Sequence, residues 1–196
     1  EVIRDKPASG RIHLQVGVLD TIPKHLTVQL VKFALKKVHC SVSVFEGNSI
    51  ELLNQLKQHQ IDVVLMNSVP SGSTGAFIHQ RIARLPLWIV GDRSFLKLKK
   101  GFPKSLNGQP FVLPTVDSSV RQEVDSFFKS NQIVADVIAE AQDVMVQKLI
   151  AFDGIGLTVV PEFSIRDHLK SKKFYLIGRM NEAFEDLYLI SASRRI

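Results

Sequence analysis

Residues 11–18, RIHLQVGV, place Ile12, Leu14, Val16 and Val18 at every second position, the period of a half-buried strand. From Pro23 the spacing changes. Leu26, Leu30, Val31, Ala34, Leu35 and Val38 recur at intervals of three and four, which predicts a helix over about 24–38. Pro23 suits its first turn, where a missing N–H removes no bond. SVSVFEG (41–47) predicts a second strand. Asn48 stands three residues before Glu51, a capping-box-like start for a helix running to about Gln58. IDVVLMNS (61–68) is almost unbroken in its apolar character, as in a strand covered on both faces. VPSGSTGA (69–76) reads as a loop, and IARLPLWIVG (82–91) as a strand interrupted by Pro86.

The alternation then restarts. FPKSLNGQ (102–109) is a loop and PFVLP (110–114) a short strand. SVRQEVDSFFKSN (119–131) gathers Val120, Val124, Phe127 and Phe128 on one helix face, with Ser119 and Gln122 as a capping box. IVADVIA (133–139) predicts a strand, and DVMVQKLIAF (143–152) a helix capped by Asp143 and stopped at Asp153-Gly154. GLTVVP (156–161) is a buried strand. A short helix over about 163–170 and two strands, FYLIG (174–178) and LYLISA (187–192), complete the chain. A βαβαβ order written twice predicts an α/β fold of parallel sheets with helices on both faces.

Composition adds limits. With 45% hydrophobic and 22% charged residues the chain is ordinary globular material, and no apolar run is long enough for a membrane span. No basic stretch followed by an apolar one opens it, so no secretory leader is expected. The single cysteine, Cys40, excludes an intrachain disulfide, suits a reducing compartment and is expected as a small buried residue at a strand start. The net charge of +6 comes partly from KLKKGFPK (97–104), HLKSKK (168–173) and Arg194-Arg195. These clusters are short and poor in aromatics, so they read as solvated faces rather than a nucleic-acid tract.

Candidate chemistry gathers at the strand-to-helix turns, because open α/β sheets bind ligands beyond the carboxyl ends of their strands. Asp20-Thr21, Asn48-Ser49 and Asn67-Ser68 occupy such turns in the first half; Thr115 to Ser119 and Asp143 do so in the second. Taken singly, Asp20, Thr21, Asn48, Ser119 and Asp143 are ordinary N-caps. Their convergence is what suggests a site. GxSxG, HExxH and GxxxxGK[ST] motifs are absent, and the six histidines show no metal-ligand spacing. Glu140 and Asp143 could pair as carboxylates, but no nucleophile accompanies them. The expectation is no catalysis, no metal and no cofactor.

The stretch EAQDVMVQKLIAFDGIGLTVVPEF (140–163), with Glu140, Gly154, Gly156 and Pro161, resembles the second half of the effector domain of LysR-type transcriptional regulators. RIHLQVGV with its following Asp-Thr, then SVSVFEGNSIELLNQLKQHQIDVVLMN and LPLWIVG, resemble the first half. The likeness covers about residues 11–192. Within the family, DTIPKHL and QPFVLPTVDSSVRQEVDSFF resemble the activators of sodium/proton antiporter genes.

The resemblance implies a type 2 periplasmic-binding-protein fold: two Rossmann-like subdomains joined by two crossover strands near 88–96 and 178–187. The first would be discontinuous, 11–90 plus 184–196, and the second would span 91–180. It further implies a small-molecule or ion effector in the cleft between them, held by Asp20, Thr21, Asn48, Ser49, Asn67, Pro114, Thr115 and Ser118. Asp20 departs from an anion site, since a carboxylate beside a helix N-terminus opposes a second one; a cation or a neutral polar molecule then remains open. A cytoplasmic homodimer or higher homo-oligomer is implied, with helix 24–38 near the partner's helix 119–131. DNA would be reached only through an N-terminal winged helix-turn-helix that this chain lacks, so a piece of a longer regulator is expected. The alternatives are a stand-alone solute-binding protein of a transporter and an enzyme on the same scaffold.

Overall fold

The computed structural model describes residues 11–69, 75–170 and 172–193. Most of the expected loop at 69–76 and the Arg194-Arg195 pair lie outside them. The elements run β1 (Ile12–Leu19), α1 (Lys24–Lys37), β2 (Cys40–Gly47), α2 (Ser49–Lys57), β3 (Val63–Met66), β4 (Phe77–Gly91), β5 (Pro110–Pro114), α3 (Ser119–Ser130), β6 (Asp136–Ala141), α4 (Val144–Phe152), β7 (Leu157–Pro161), α5 (Arg166–Lys170) and β8 (Tyr175–Ala192). Short 3-10 turns occupy Arg93–Lys99, Lys104–Leu106 and Glu162–Ser164.

The chain divides into two compact units. The first extends to Ile82 and resumes at Tyr188; the second is Ala83–Leu187. Both divisions fall inside strands, β4 and β8, so each of these long strands contributes to both units.

In the first unit β1 lies between β2 and β3 and runs parallel to both. The end of β8 pairs antiparallel with β3, Val64 opposite Ile190 and Met66 opposite Tyr188. Leu52 and Leu56 of α2 pack with Ile61, Val64, Met66 and Ile190. The fit over Gly17 is close: a Cβ there would stand 2.8 Å from Ile61 Cδ1 and 3.0 Å from Leu52 Cδ2. Cys40 is buried at the first position of β2.

In the second unit β5 runs parallel to β6 and β7, while β4 lies antiparallel to β7. Val120, Val124 and Phe128 of α3 pack on Phe111, Leu113 and Leu157. The Phe111 and Phe128 rings meet edge to face, 5.0 Å between centroids. On the other side Ala151 of α4 joins Val90, Val160, Ile165 and Phe174.

Four expectations change. The sheets are mixed, not all parallel, because β4 and β8 return antiparallel to their neighbours. The strand expected at 82–91 is continuous from Phe77 through Pro86; its ladder with β7 covers only Leu87–Val90, so the missing N–H breaks no bond there. The strands expected at 174–178 and 187–192 are one, β8. The strand expected at 133–139 starts at Asp136, because the Ile133 N–H donates to Phe128 O at 2.9 Å and closes the end of α3.

Candidate functional site

Strand register brings the first three turns together. Leu19 lies opposite Gly47, and Val18 opposite both Glu46 and Leu65, so β2, β1 and β3 end side by side. The Asp20 N–H donates to Gly47 O at 3.1 Å, and the Ile22 N–H to Leu19 O at 2.9 Å, folding Asp20-Thr21 into a tight turn. Buried Asn67, just past β3, donates from Nδ2 to Thr21 Oγ1 at 3.5 Å. Thr21 and Asn67 are therefore neighbours. Asn48 is committed elsewhere, accepting from the Glu51 N–H at 3.0 Å, and Ser49 is the first residue of the helix so capped.

Asp20 and Thr21 are not caps, contrary to expectation. α1 begins at Lys24, and its N-cap is Pro23, which offers no side-chain acceptor. No acidic residue stands in the first turn of α1. The Leu26 N–H turns back to Pro23 O at 2.8 Å, so α1 starts without a side-chain cap and with its partial positive charge beside the Thr21 turn.

The second unit repeats this arrangement. Buried Pro114 ends β5, and its carbonyl accepts from Arg121 Nη1 at 2.9 Å. Arg121 also reaches Glu140 at 2.5 Å and Asp125 at 2.9 Å. Burial works against its charge, but the Glu140 and Asp125 carboxylates outweigh that and hold the guanidinium more firmly protonated than usual. The Ser118 N–H donates to Thr115 O at 3.0 Å, and the Thr115 hydroxyl bonds the Asp117 carboxylate, lowering its pKa. The N-cap of α3 is Ser118, not Ser119, and its side chain makes no capping bond. Ser119 Oγ is buried without a hydrogen-bond partner.

Among these four helices α2 and α4 are capped, the latter by Asp143, which accepts from the Met145 and Val146 N–H groups at 2.6 and 3.2 Å. α1 and α3 are open. The turns before the open helices carry Thr21 in one unit and Thr115 and Ser118 in the other.

Two polar residues of α4 escaped the spacing argument. Gln147 is buried against the sheet, donating from Nε2 to Thr158 Oγ1 at 2.5 Å and Val159 O at 3.0 Å, while Thr158 donates to Val112 O at 2.9 Å. Lys148 is only 4% exposed, and its Nζ reaches Ser164 O at 3.5 Å. Burial pushes its pKa down, opposed in part by the Asp143 carboxylate. The opposite face of α4 exposes Met145, Val146 and Leu149, so the helix is inverted relative to an ordinary surface helix. VMVQKLIAF is apolar nearly all round, which gave no cue to this orientation.

Among the described residues no group of three or more His, Cys, Asp or Glu side chains could hold a metal, and no helix is long and apolar enough to cross a membrane.

The LysR substrate binding domain family matches residues 8–195. The transcriptional activator protein NhaR of Escherichia coli K12 is 24% identical over 187 residues, covering 92% of this chain and 60% of NhaR. The RuBisCO operon transcriptional regulator of Acidithiobacillus ferrooxidans is 25% identical over 166 residues, covering 84% of this chain and 53% of that protein. The chain thus spans little more than half the length of these relatives.

Among solved structures, the CcmR regulatory domain of Synechocystis, in complex with 2-PG, superposes with a TM-score of 0.73 at 16% identity, covering 95% of this chain and 90% of that one. The reduced regulatory domain of OxyR2 from Vibrio vulnificus gives 0.75 at 19%, covering 92% and 86%. These likenesses show the type 2 periplasmic-binding-protein-like fold. With nearly its whole length matched by one family, the chain belongs to the LysR substrate-binding domains of transcriptional regulators.

Proposed function

We propose that this chain senses an effector for a LysR-type transcriptional regulator, and that the effector presents hydrogen-bond acceptors, such as a carboxylate or phosphate group, to a helix start without a side-chain cap, that of α1 in the first unit or of α3 in the second. The observation that carries this reading is the contrast in capping. α2 and α4 are capped by the side chains of Asn48 and Asp143; α1 and α3 have no side-chain cap. Free N–H groups with a partial positive charge favour an anion or a polar oxygen. Thr21 with Asn67 in one unit, and Ser118 in the other, add hydroxyl and amide groups that fix orientation; the Thr115 hydroxyl is committed to the Asp117 carboxylate. Asp20 makes no capping bond, so its carboxylate does not compete with the effector for the first N–H groups of α1.

Response follows if the effector has different affinities for two states of the protein, since a ligand without that difference shifts no population. The likeness to the transcriptional activator protein NhaR supports activation of transcription as the output. No reaction is assigned, because the matched relatives are regulators rather than enzymes. A cytoplasmic regulator fits this reading better than a transporter's solute-binding protein. The test uses the full-length regulator. Thr21→Ala with Ser118→Ala should leave promoter DNA binding intact and abolish the effector's influence on transcription. An unchanged response removes these turns from the site.

The same reading includes a homodimer. α1 and β2 expose Val28, Phe33, Leu35, Val44 and Phe45; β6 and α4 expose Val137, Ile138, Val146 and Leu149. Exposed Lys32, Lys36 and Lys37 accompany the first surface, and exposed Asp136, Glu140 and Asp153 the second. The two are complementary in charge and similar in apolar character, as a second copy of this chain requires. A two-fold axis would use each contact twice and close the dimer. α3, expected to face the partner's α1, exposes Gln122, Asp125 and Lys129 and offers no such apolar face. The proposal therefore places α4 there.

A further inference from the structure

The second unit holds a groove of about 610 Å³ that the effector reading does not use. Glu123, Ser126, Phe127 and Ser130 line it from α3; their spacing of three and four puts them on one side of the helix. Ser130 lies roughly 18 Å along the helix from Ser118, so the groove belongs to the end of α3 remote from the effector turns. The rest of the lining comes from Phe102-Pro103 and from β8 at Arg179, Asn181, Glu182 and Ala183.

Its apolar part is built around two rings. Phe102 stacks with Phe127 at 6.2 Å between centroids. Phe102 can lie against β8 because position 178 is glycine; a Cβ there would overlap the ring.

Its polar part is rich in acceptors. Neither Glu123 nor Glu182 has a cationic partner among the described residues. The one cation in the lining, Arg179, lies over the Trp88 ring at 5.1 Å. Asn131 spends its Nδ2 on Phe127 O at 2.8 Å, which leaves its Oδ1 as an acceptor. Two carboxylates against one engaged guanidinium make the groove locally acidic on a chain of net charge +6.

We propose that this groove is a second small-molecule site, and that it takes a compact organic cation: an ammonium group on an aromatic or apolar body. The volume lies in the range of ordinary ligand pockets. Carboxylates on two elements receive the ammonium, and the Phe102–Phe127 pair receives the body, with a cation–π contribution where the charge meets a ring face. An anion of the same shape meets two carboxylates and is refused.

The test is an NMR titration of the purified chain with 2-phenylethylamine and, separately, with 3-phenylpropionate. The amine should shift the amides of Phe127, Ser130 and Glu182, and the acid should leave them in place. Glu123→Gln and Glu182→Gln should each weaken amine binding about fivefold, the scale of one exposed ion pair. Ser126→Trp, which fills the groove from an exposed position, should abolish it. Thr21→Ala should change nothing here, so this result stands apart from the effector site. Three outcomes overturn the proposal: no shift at about 10 mM amine, a weak limit for any small ligand; equal shifts with the acid; or undiminished affinity when both glutamates are glutamine.

Discussion

Lys148 shows how position decides what a charge does to stability. Its ammonium is buried and meets one carbonyl at 3.5 Å, so the folded protein holds that proton less tightly than an unfolded chain does. At low pH both states are protonated and the burial penalty is full. As pH rises toward the ordinary lysine value of 10.5, the folded state releases its proton first, and stability from this residue increases. Urea unfolding at about pH 7 and pH 9.5 measures it. The natural chain should gain stability at the higher pH relative to Lys148→Met, and Lys148→Met should be the more stable of the two at pH 7. Gln147, one residue earlier, is the opposite case: its buried amide nitrogen donates to Thr158 Oγ1 and Val159 O. Neither role was legible in VMVQKLIAF, where both residues sit among apolar neighbours with no periodicity to choose a side.

Helix starts divide into those that hold themselves and those that wait for something else. Asn48→Ala and Asp143→Ala should each lower unfolding stability by about 1 kcal/mol, since each removes a capping bond seen in the structure. Ser118→Ala should lower it by much less, because that hydroxyl caps nothing. Denaturant midpoints of the three variants make the comparison, and an equal loss at Ser118 would remove the distinction between open and closed helices. Hydrophobic spacing located most of the elements, because burial on one side is written into residue order. It placed Asn48 and Asp143 correctly as caps. It misassigned Asp20, Thr21 and Ser119, because a cap is set by where the backbone enters the helical region. Pro23 delays that entry in α1, and Ser118 takes the role before α3. Long-range returns were also beyond local pattern: nothing within 174–192 announces one continuous strand, or that it runs antiparallel to β3.

The molecule as a whole was readable as a family member because order carries more information than any single motif. The sequence of strand, turn, helix and Gly-x-Gly matched over nearly its full length, and the LysR substrate-binding domain assignment agrees. The contact between Thr21 and Asn67 was not readable, since it depends on β1 lying between β2 and β3. The proposed assembly rests on the exposed apolar face of α4. Phe33→Glu on α1 and Leu149→Glu on α4 should each convert a dimer to a monomer in sedimentation velocity, whereas Asp125→Ala on α3 should not. A natural chain that remains monomeric at high concentration would refute the proposed pairing.

The central proposal is that a helix start without a side-chain cap, α1 or α3, receives an acceptor-bearing effector, and thermal denaturation of the isolated chain against small organic anions tests it most directly. Sodium chloride at matched ionic strength provides the control. Binding to the native state raises the melting temperature. The account predicts that at least one carboxylate or phosphate compound raises it, and that Thr21→Ala or Ser118→Ala abolishes the rise. Stabilisation by sodium alone, or an anion effect that survives both substitutions, would contradict it.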